Sequence, residues 1–263
     1  MKTGAKRVTP SIDPSITPSI NPFIGPLVRA GRTLLSLLYP PHCALCLAPT
    51  RPGNHLCRNC LGSAVQIRAP ACKVCSLPFY GLIEGPFACP NCARRRWHFE
   101  CAVACYLSRG VVRDLVHQFK YQRAHHLRHT LGRWLGESLA DPRLQQPRPD
   151  LLVPVPLHPA KLRKRQFNQS EVLADWVSRH LGFEVCNALK RTRHTPTQTH
   201  LSRRHRMENL RGAFALRKNP PVQNRHLLLI DDVLTTGATL DACAHTLLRA
   251  GAASVRAATV ARA

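Results

Sequence analysis

The run Leu227-Leu-Leu-Ile-Asp-Asp-Val-Leu-Thr-Thr-Gly-Ala-Thr239 places two adjacent carboxylates between an apolar stretch and a hydroxyl-rich turn. Residues of these types in this order can bind a sugar phosphate. Asp231 and Asp232 would accept hydrogen bonds from ribose hydroxyls, and their charge would help hold a divalent cation. Thr235, Thr236, Gly237, Ala238 and Thr239 would surround a phosphate with hydroxyls and backbone amides, with Gly237 letting the backbone approach closely. The plain alternative is an ordinary strand, turn and helix in which a threonine caps the helix and both aspartates are solvated.

Local elements must position these groups. Residues 227–230 read as a buried strand, and Leu240, Cys243, Ala244, Leu247 and Leu248 recur at helical spacing. The chain therefore turns between them, and the first-turn N–H groups of the helix, which have no intrahelical partner, point toward the turn. Upstream, Leu107, Val111, Val112, Leu115, Val116 and Phe119 predict a helix from Tyr106 to Phe119, and Leu127, Leu131, Trp134, Leu135 and Leu139 predict another. Leu151–Leu157 reads as a strand whose exposed end is marked by Pro154 and Pro156. A basic loop follows, with Lys161, Arg163, Lys164 and Arg165 able to neutralise phosphates. Asn168, Gln169 and Ser170 then supply directional contacts at the start of a helix carrying Val172, Leu173, Trp176 and Val177. Residues 192–206 are too basic for a core and read as a mobile cover or arm.

Most of the twelve cysteines fall in four C-x-x-C pairs: Cys43/Cys46, Cys57/Cys60, Cys72/Cys75 and Cys89/Cys92. Four such knuckles can supply two tetrahedral zinc sites, in which zinc is structural because four thiolates leave no position for an activated water. Residues 43–92 offer few large apolar side chains, so metal binding would be coupled to folding. Sequential pairing would put Cys43, Cys46, Cys57 and Cys60 on one ion and Cys72, Cys75, Cys89 and Cys92 on the other; spacing leaves crossed pairing open. Disulfides in an oxidising compartment and a redox dithiol are the competing uses. Cys101, Cys105, Cys186 and Cys243 read as small buried residues.

At 263 residues and 44% hydrophobic composition the chain is more than a peptide tail. It has room for a small domain and a roughly 150-residue α/β domain. Lys and Arg number 38 against 14 acidic residues, a net charge of +24 that favours polyanionic partners, whether nucleic acid, anionic membrane or phosphorylated substrate. The first thirty residues lack the long apolar core of a secretory signal, and the Pro/Ser/Thr run through Pro18 reads as flexible. Leu27 to Leu38 suggest a short helix stopped by Pro40-Pro41, and no segment reaches transmembrane length. The expectation is a cytoplasmic protein, with residues 23–39 a candidate for peripheral contact with the inner face of the membrane. Neither a nuclease arrangement nor a P-loop is present.

The segment 227–239 closely resembles the 5-phosphoribosyl-1-pyrophosphate (PRPP) signature of type I phosphoribosyltransferases. That resemblance implies that the acidic pair meets ribose hydroxyls with magnesium and that the threonine-glycine loop holds the 5-phosphate. The cysteine pairs resemble a double zinc ribbon, and the fusion of the two, over roughly residues 34–263, resembles the ComF family. Members of that family are linked to uptake or processing of single-stranded DNA and to use of exogenous DNA as a nutrient. The family's R-G-F-N-Q-S segment lies on the pyrophosphate side of the site; here Gln166 stands at its usual glycine position. Residues 191–214 resemble a flexible loop region that closes over PRPP, with Arg193, Gln198, Arg206 and Asn209 at motif positions, so Arg193 or Arg206 would stabilise a departing pyrophosphate.

The expected organisation is a flexible segment over 1–30, a double zinc ribbon with a short preceding helix over 34–95, and an α/β phosphoribosyltransferase-like domain over 100–263. Three functions compete. One is an accessory protein for internalised single-stranded DNA that retains a PRPP site, with DNA-uptake or recombination proteins as partners. The others are an active phosphoribosyltransferase with an unidentified acceptor and a structural or protein-interaction module.

Overall fold

In the computed structural model, residues 40–193, 210 and 212–263 are described. The expectations for residues 1–30 and 23–39, and those for Gln198, Arg206 and Asn209, lie outside them. Two short helices, α1 (Arg58–Gly62) and α2 (Pro90–Ala93), belong to the cysteine-rich segment. Strand β1 (Ala102–Leu107) follows, then helices α3 (Gly110–Tyr121), α4 (Arg128–Leu139) and α5 (Pro142–Gln145). Strand β2 (Leu151–Pro154) leads to α6 (Pro159–Arg165), α7 (Gln169–Leu181) and β3 (Glu184–Val185). Strands β4 (Leu189–Arg191) and β5 (Phe214–Leu216) make a separate antiparallel ribbon, and β6 (His226–Leu234), α8 (Ala238–Arg249) and β7 (Ser254–Arg262) complete the chain.

Five strands form one parallel sheet in the order β1-β7-β6-β2-β3. A parallel sheet needs cover on both faces, and the alternation of side chains supplies it. Leu152, Leu228, Ile230, Ala258 and Val260 join the side chains of α3, α4 and α7 in one core. Leu151, Val153, Leu227, Leu229 and Ala257 join α8, β4 and β5 in the other. From β2 the chain moves outward to β3, and from β6 outward to β7 in the opposite direction. The strand order therefore reverses between β2 and β6, and ligands of open α/β sheets bind beyond the carboxyl ends of such a pair.

The cysteine-rich segment protects the open edge of this sheet. Gln66 pairs antiparallel with Tyr106, Ile67 N–H donates to Cys105 O (2.7 Å) and Leu107 N–H to Val65 O (2.8 Å). Ala102 N–H donates to Val74 O (2.7 Å) and the Ser76 hydroxyl to Ala102 O (3.0 Å). An edge that would otherwise offer unpaired amides is thereby closed. Cys43 and Leu56 pack into the first core, while Cys72, Cys75, Cys89 and Cys92 pack into the second. Residues 41–263 form one compact unit. Among the described residues, no helix is long and apolar enough to cross a membrane.

Four sequence expectations are corrected. The helix expected from Tyr106 begins at Gly110, because Ala102–Leu107 pairs in parallel with β7 as an edge strand. The strand expected over 227–230 continues to Leu234, since β7 stays paired with it as far as Leu234↔Arg262. Pro154 ends β2 as expected, but both Pro154 and Pro156 are buried. Val155 N–H still reaches Ile230 O, and pairing with β3 has already stopped at Leu152↔Val185, so the missing proline N–H costs no ladder bond. The basic loop after it contains helix α6, started by Pro159 at its first position and by the His158 side chain, which accepts from Ala160 N–H.

Helices α4 and α7 cross where Gly132 faces Trp176. A Cβ at Gly132 would stand 2.4 Å from the indole. We predict that Gly132→Ala lowers stability by about 1–2 kcal/mol even though alanine favours helix, because overpacking outweighs the propensity gain. A lower urea midpoint followed by tryptophan fluorescence is the expected outcome; an unchanged or raised midpoint contradicts the close crossing.

Candidate functional site

Asp231 and Asp232 lie on β6 just past Ile230, the last residue of that strand paired with β2, while β7 still runs alongside. The carboxylates therefore open toward the reversal point between β2 and β6. Asp231 Oδ1 accepts from the Ser170 hydroxyl (3.0 Å) and from Asp232 N–H (2.9 Å). Asp232 is buried and pairs with Lys120 Nζ at 2.7 Å from the last turn of α3. Burial raises the Asp231 carboxyl, and the neighbouring Asp232 charge adds to it, bringing it to about 7; Lys120, Asp232 N–H and Ser170 pull the other way.

Ser170 is held in place by the residue before its helix. Asn168 caps α7, its Oδ1 accepting from Ser170 N–H (3.2 Å) and its Nδ2 donating to Val155 O (3.1 Å). Asn168 thus takes the capping role that Ser170 could have filled, and leaves the Ser170 hydroxyl for Asp231. Gln166, at the position where glycine is usual, takes a left-handed conformation (φ 69°) and ends α6. The departure in residue type therefore preserves a backbone shape that glycine adopts at lower cost.

Positive charge converges on the same place. Lys161 of α6 is held below the usual lysine range by burial and then by the charges of Arg191, Arg165 and Lys120. Arg191 at the end of β4 is lowered by burial, offset by Cys243 and Asp231. Arg165 donates to Gln169 Oε1 (3.1 Å) and to the Tyr121 hydroxyl (3.0 Å), and its guanidinium lies over the Tyr121 ring. Like charges brought this close oppose one another, and an anionic ligand relieves that opposition.

The turn after β6 leads directly into α8. Gly237 is the N-cap of α8 with φ 82°, a left-handed conformation, and Thr236 Oγ1 accepts from Ala238 N–H (3.4 Å). Thr235 is exposed, Thr236 and Thr239 half-buried, and Ala238 buried. The N-terminus of α8 presents the orphan amides that favour anions. Arg193 lies exposed beyond β4. Arg191, on the strand itself, is the arginine whose charge couples to Asp231. Sequence reading passed over Arg191 and Lys120 as site residues. Their only sequence signal was membership of basic stretches, which the chain has in abundance.

The eight paired cysteines gather in the sequential arrangement. In the sets Cys43, Cys46, Cys57, Cys60 and Cys72, Cys75, Cys89, Cys92, the sulfurs all lie within 4.8 Å of one another. None of the eight is in a disulfide. Backbone amides point at sulfur, Cys60 N–H to Cys57 Sγ (3.4 Å) and Cys89 N–H to Cys72 Sγ (3.3 Å). The Cys72 thiol is lowered to about 4, first by the Cys75 thiol. Burial works to raise Cys43, but backbone amides bring it to about 6. Within the same sets Cys46, Cys60, Cys75 and Cys92 are raised, so it is the convergence of four sulfurs in each set that fits two structural zinc ions.

Fold and site together define a phosphoribosyltransferase-type α/β core joined to a double zinc ribbon. The double zinc ribbon domain family matches residues 34–105 and the phosphoribosyl transferase domain family residues 168–263. The DNA utilization protein YhgH of Escherichia coli (strain K12) is 36% identical over 228 residues, covering 84% of this chain and 96% of that protein. Competence protein F of Haemophilus influenzae is 32% identical over 217 residues, covering 78% and 91%. Competence protein ComFC of Bacillus subtilis is 25% identical over 222 residues, covering 81% and 86%. The chain belongs to the ComF family.

The raised Asp231 carboxyl makes stability depend on pH. Its contribution is full below the ordinary aspartate value of 3.8 and is lost as pH rises through about 7, because the unfolded chain releases the proton first. Urea midpoints of the ligand-free protein should therefore fall between these values relative to Asp231→Asn. Parallel pH profiles for the two proteins would refute the assignment.

Proposed function

We propose that this ComF-family protein binds magnesium-PRPP at the carboxyl end of β6 and acts in handling single-stranded DNA taken up by the cell. The observation that carries the reading is the placing of Lys120 and Arg191 against the Asp231–Asp232 pair, with Lys161 close to both and to Arg165, on a strand that leads into the N-terminus of α8. A ligand with a sugar diol, a 5-phosphate and a pyrophosphate suits all three features at once. Asp231 and Asp232 would orient the ribose hydroxyls and help hold magnesium, which when bound screens pyrophosphate charge. Thr235, Thr236, Gly237, Ala238 and Thr239 would hold the 5-phosphate, while Lys161 and Arg165 would meet the pyrophosphate. Arg193 and Arg206 are proposed to join them over the leaving group if transfer occurs.

The DNA part of the proposal rests on the names carried by the relatives, on the +24 charge and on two ribbon modules. Phosphate contacts of this kind bind a strand without reading its bases. The site geometry supports a ligand class more than a reaction, since the same kind of pocket serves transferases and ligand-regulated proteins.

Titration calorimetry of PRPP with magnesium into the zinc-loaded protein, with pyrophosphate release followed with and without single-stranded DNA and a panel of bases, tests the proposal. Asp232→Asn should weaken PRPP binding by at least ~30-fold, about 2 kcal/mol, while zinc content and fold are kept. Unchanged affinity would remove Asp232 from the site. Turnover with one acceptor makes the protein a transferase; binding without turnover, with salt-dependent affinity for single strands, makes it a ligand-regulated DNA-handling protein.

A further inference from the structure

The second cysteine set is wired to the back of the phosphate cradle. Arg262 ends β7, is 5% exposed, and sits in register with Leu234. Its Nε donates to Cys75 O (3.2 Å), and its Nη1 donates to Leu234 O (3.2 Å) and Thr235 O (2.8 Å). One buried guanidinium thus joins a zinc-knuckle carbonyl to the two carbonyls at the entrance of the 235–239 turn. Its Nη1 donates also to Ala263 O, and a buried guanidinium needs compensating charge. Four thiolates around a divalent zinc carry a net charge of about −2, so a filled second set supplies that compensation beside Cys75.

A second contact reaches the same turn from the same module. Trp97, just after the last cysteine of the set, stacks on Phe99 with ring centroids 5.1 Å apart. A Cβ at Gly237 would lie 3.1 Å from the Trp97 ring, at a residue already in a left-handed conformation. The void between Trp97, Cys92, Gly237 and Arg262 measures only about 10 Å³, too little to absorb a shift on one side without moving the other. The first cysteine set, packed in the opposite core, has no such link among the described residues.

We propose that the second tetracysteine site positions the phosphate cradle, with Arg262 as the positioning residue that couples zinc occupancy there to ligand binding at residues 235–239. The proposal rests on the reading of those residues as a phosphate loop and adds its regulation: loss of zinc from the second set disorders the cradle, and a bound sugar phosphate in turn retains that zinc. Reciprocity of the two effects follows from linkage.

Two measurements on the zinc-loaded full chain decide it. In the wild type, saturating magnesium-PRPP should slow release of one of the two zinc ions to 4-(2-pyridylazo)resorcinol by about tenfold and leave the other unaffected. Arg262→Gln should abolish that slowing, and Arg262→Lys, which keeps a donor and the charge, should restore part of it. Amide hydrogen exchange, which needs no ligand, should rise about tenfold at residues 235–239 in Arg262→Gln with both zinc ions bound, and stay at the wild-type level in Cys46→Ser, which opens the first set. Exchange unchanged in Arg262→Gln, or raised equally by Cys46→Ser, overturns the coupling. Absence of PRPP binding by the wild type would defeat the sugar-phosphate reading alone, leaving the exchange measurement to judge the coupling.

Discussion

Two carboxylates held side by side at the end of a buried strand set the terms for the rest of this structure. Desolvation and mutual repulsion both disfavour their charged forms, and the rise of Asp231 to about 7 expresses that cost. What offsets it comes from separate parts of the chain: Lys120 from α3, the Ser170 hydroxyl from the start of α7, and the Asp232 amide itself. The sheet makes the convergence possible. Because β2 stops pairing at Ile230 while β7 continues, β6 carries the acidic pair beyond one neighbour and remains supported by the other.

The double zinc ribbon solves a different problem with the same parts. A five-stranded sheet ending in β1 leaves an edge open, and the ribbon closes it through the carbonyls of Val65 and Val74, which accept from β1, and the Ile67 N–H, which donates to it. Its two cysteine sets sit in opposite cores, so each adds a metal-held wedge to one face of the edge. Arg143 strengthens the join on one side, donating to Cys72 O (3.3 Å) and Lys73 O (3.0 Å) while its guanidinium pairs with Asp141 at 2.7 Å. The module is therefore part of the fold of the core, which is why its geometry reaches as far as the phosphate cradle.

Membership of the ComF family joins these two solutions in one chain. On the proposed reading, a basic protein with an anion site would draw in polyanions generally, and the acidic pair would narrow the preference to an anion that also offers hydroxyls or brings a divalent cation. Selectivity would then come from the carboxylates and affinity from the cations. The carboxylate side depends on Asn168, whose cap of α7 frees Ser170 for Asp231.

How much of this could be read from the residue order follows from the range of each interaction. The cysteine knuckles, the strand-turn-helix around Asp231 to Thr239, and the helices at 128–139 and 169–181 were legible because spacing of a few residues defines them. Strand β1 was missed because its apolar residues merge with the helical spacing of the next segment, and only pairing with β7 makes it extended. Pairing likewise carried β6 four residues further than its apolar run. The sequence by itself determined the ligand groups, four cysteine knuckles and an acidic pair before a glycine turn, because each is encoded within one local segment; how the knuckles pair was decided by the fold. Tertiary structure alone decided which cations complete the site and which arginine ties it to the zinc ribbon. Lys120, Arg191 and Arg262 are three among many basic residues, and a charge acquires its role only when folding removes water and brings its distant partner into reach.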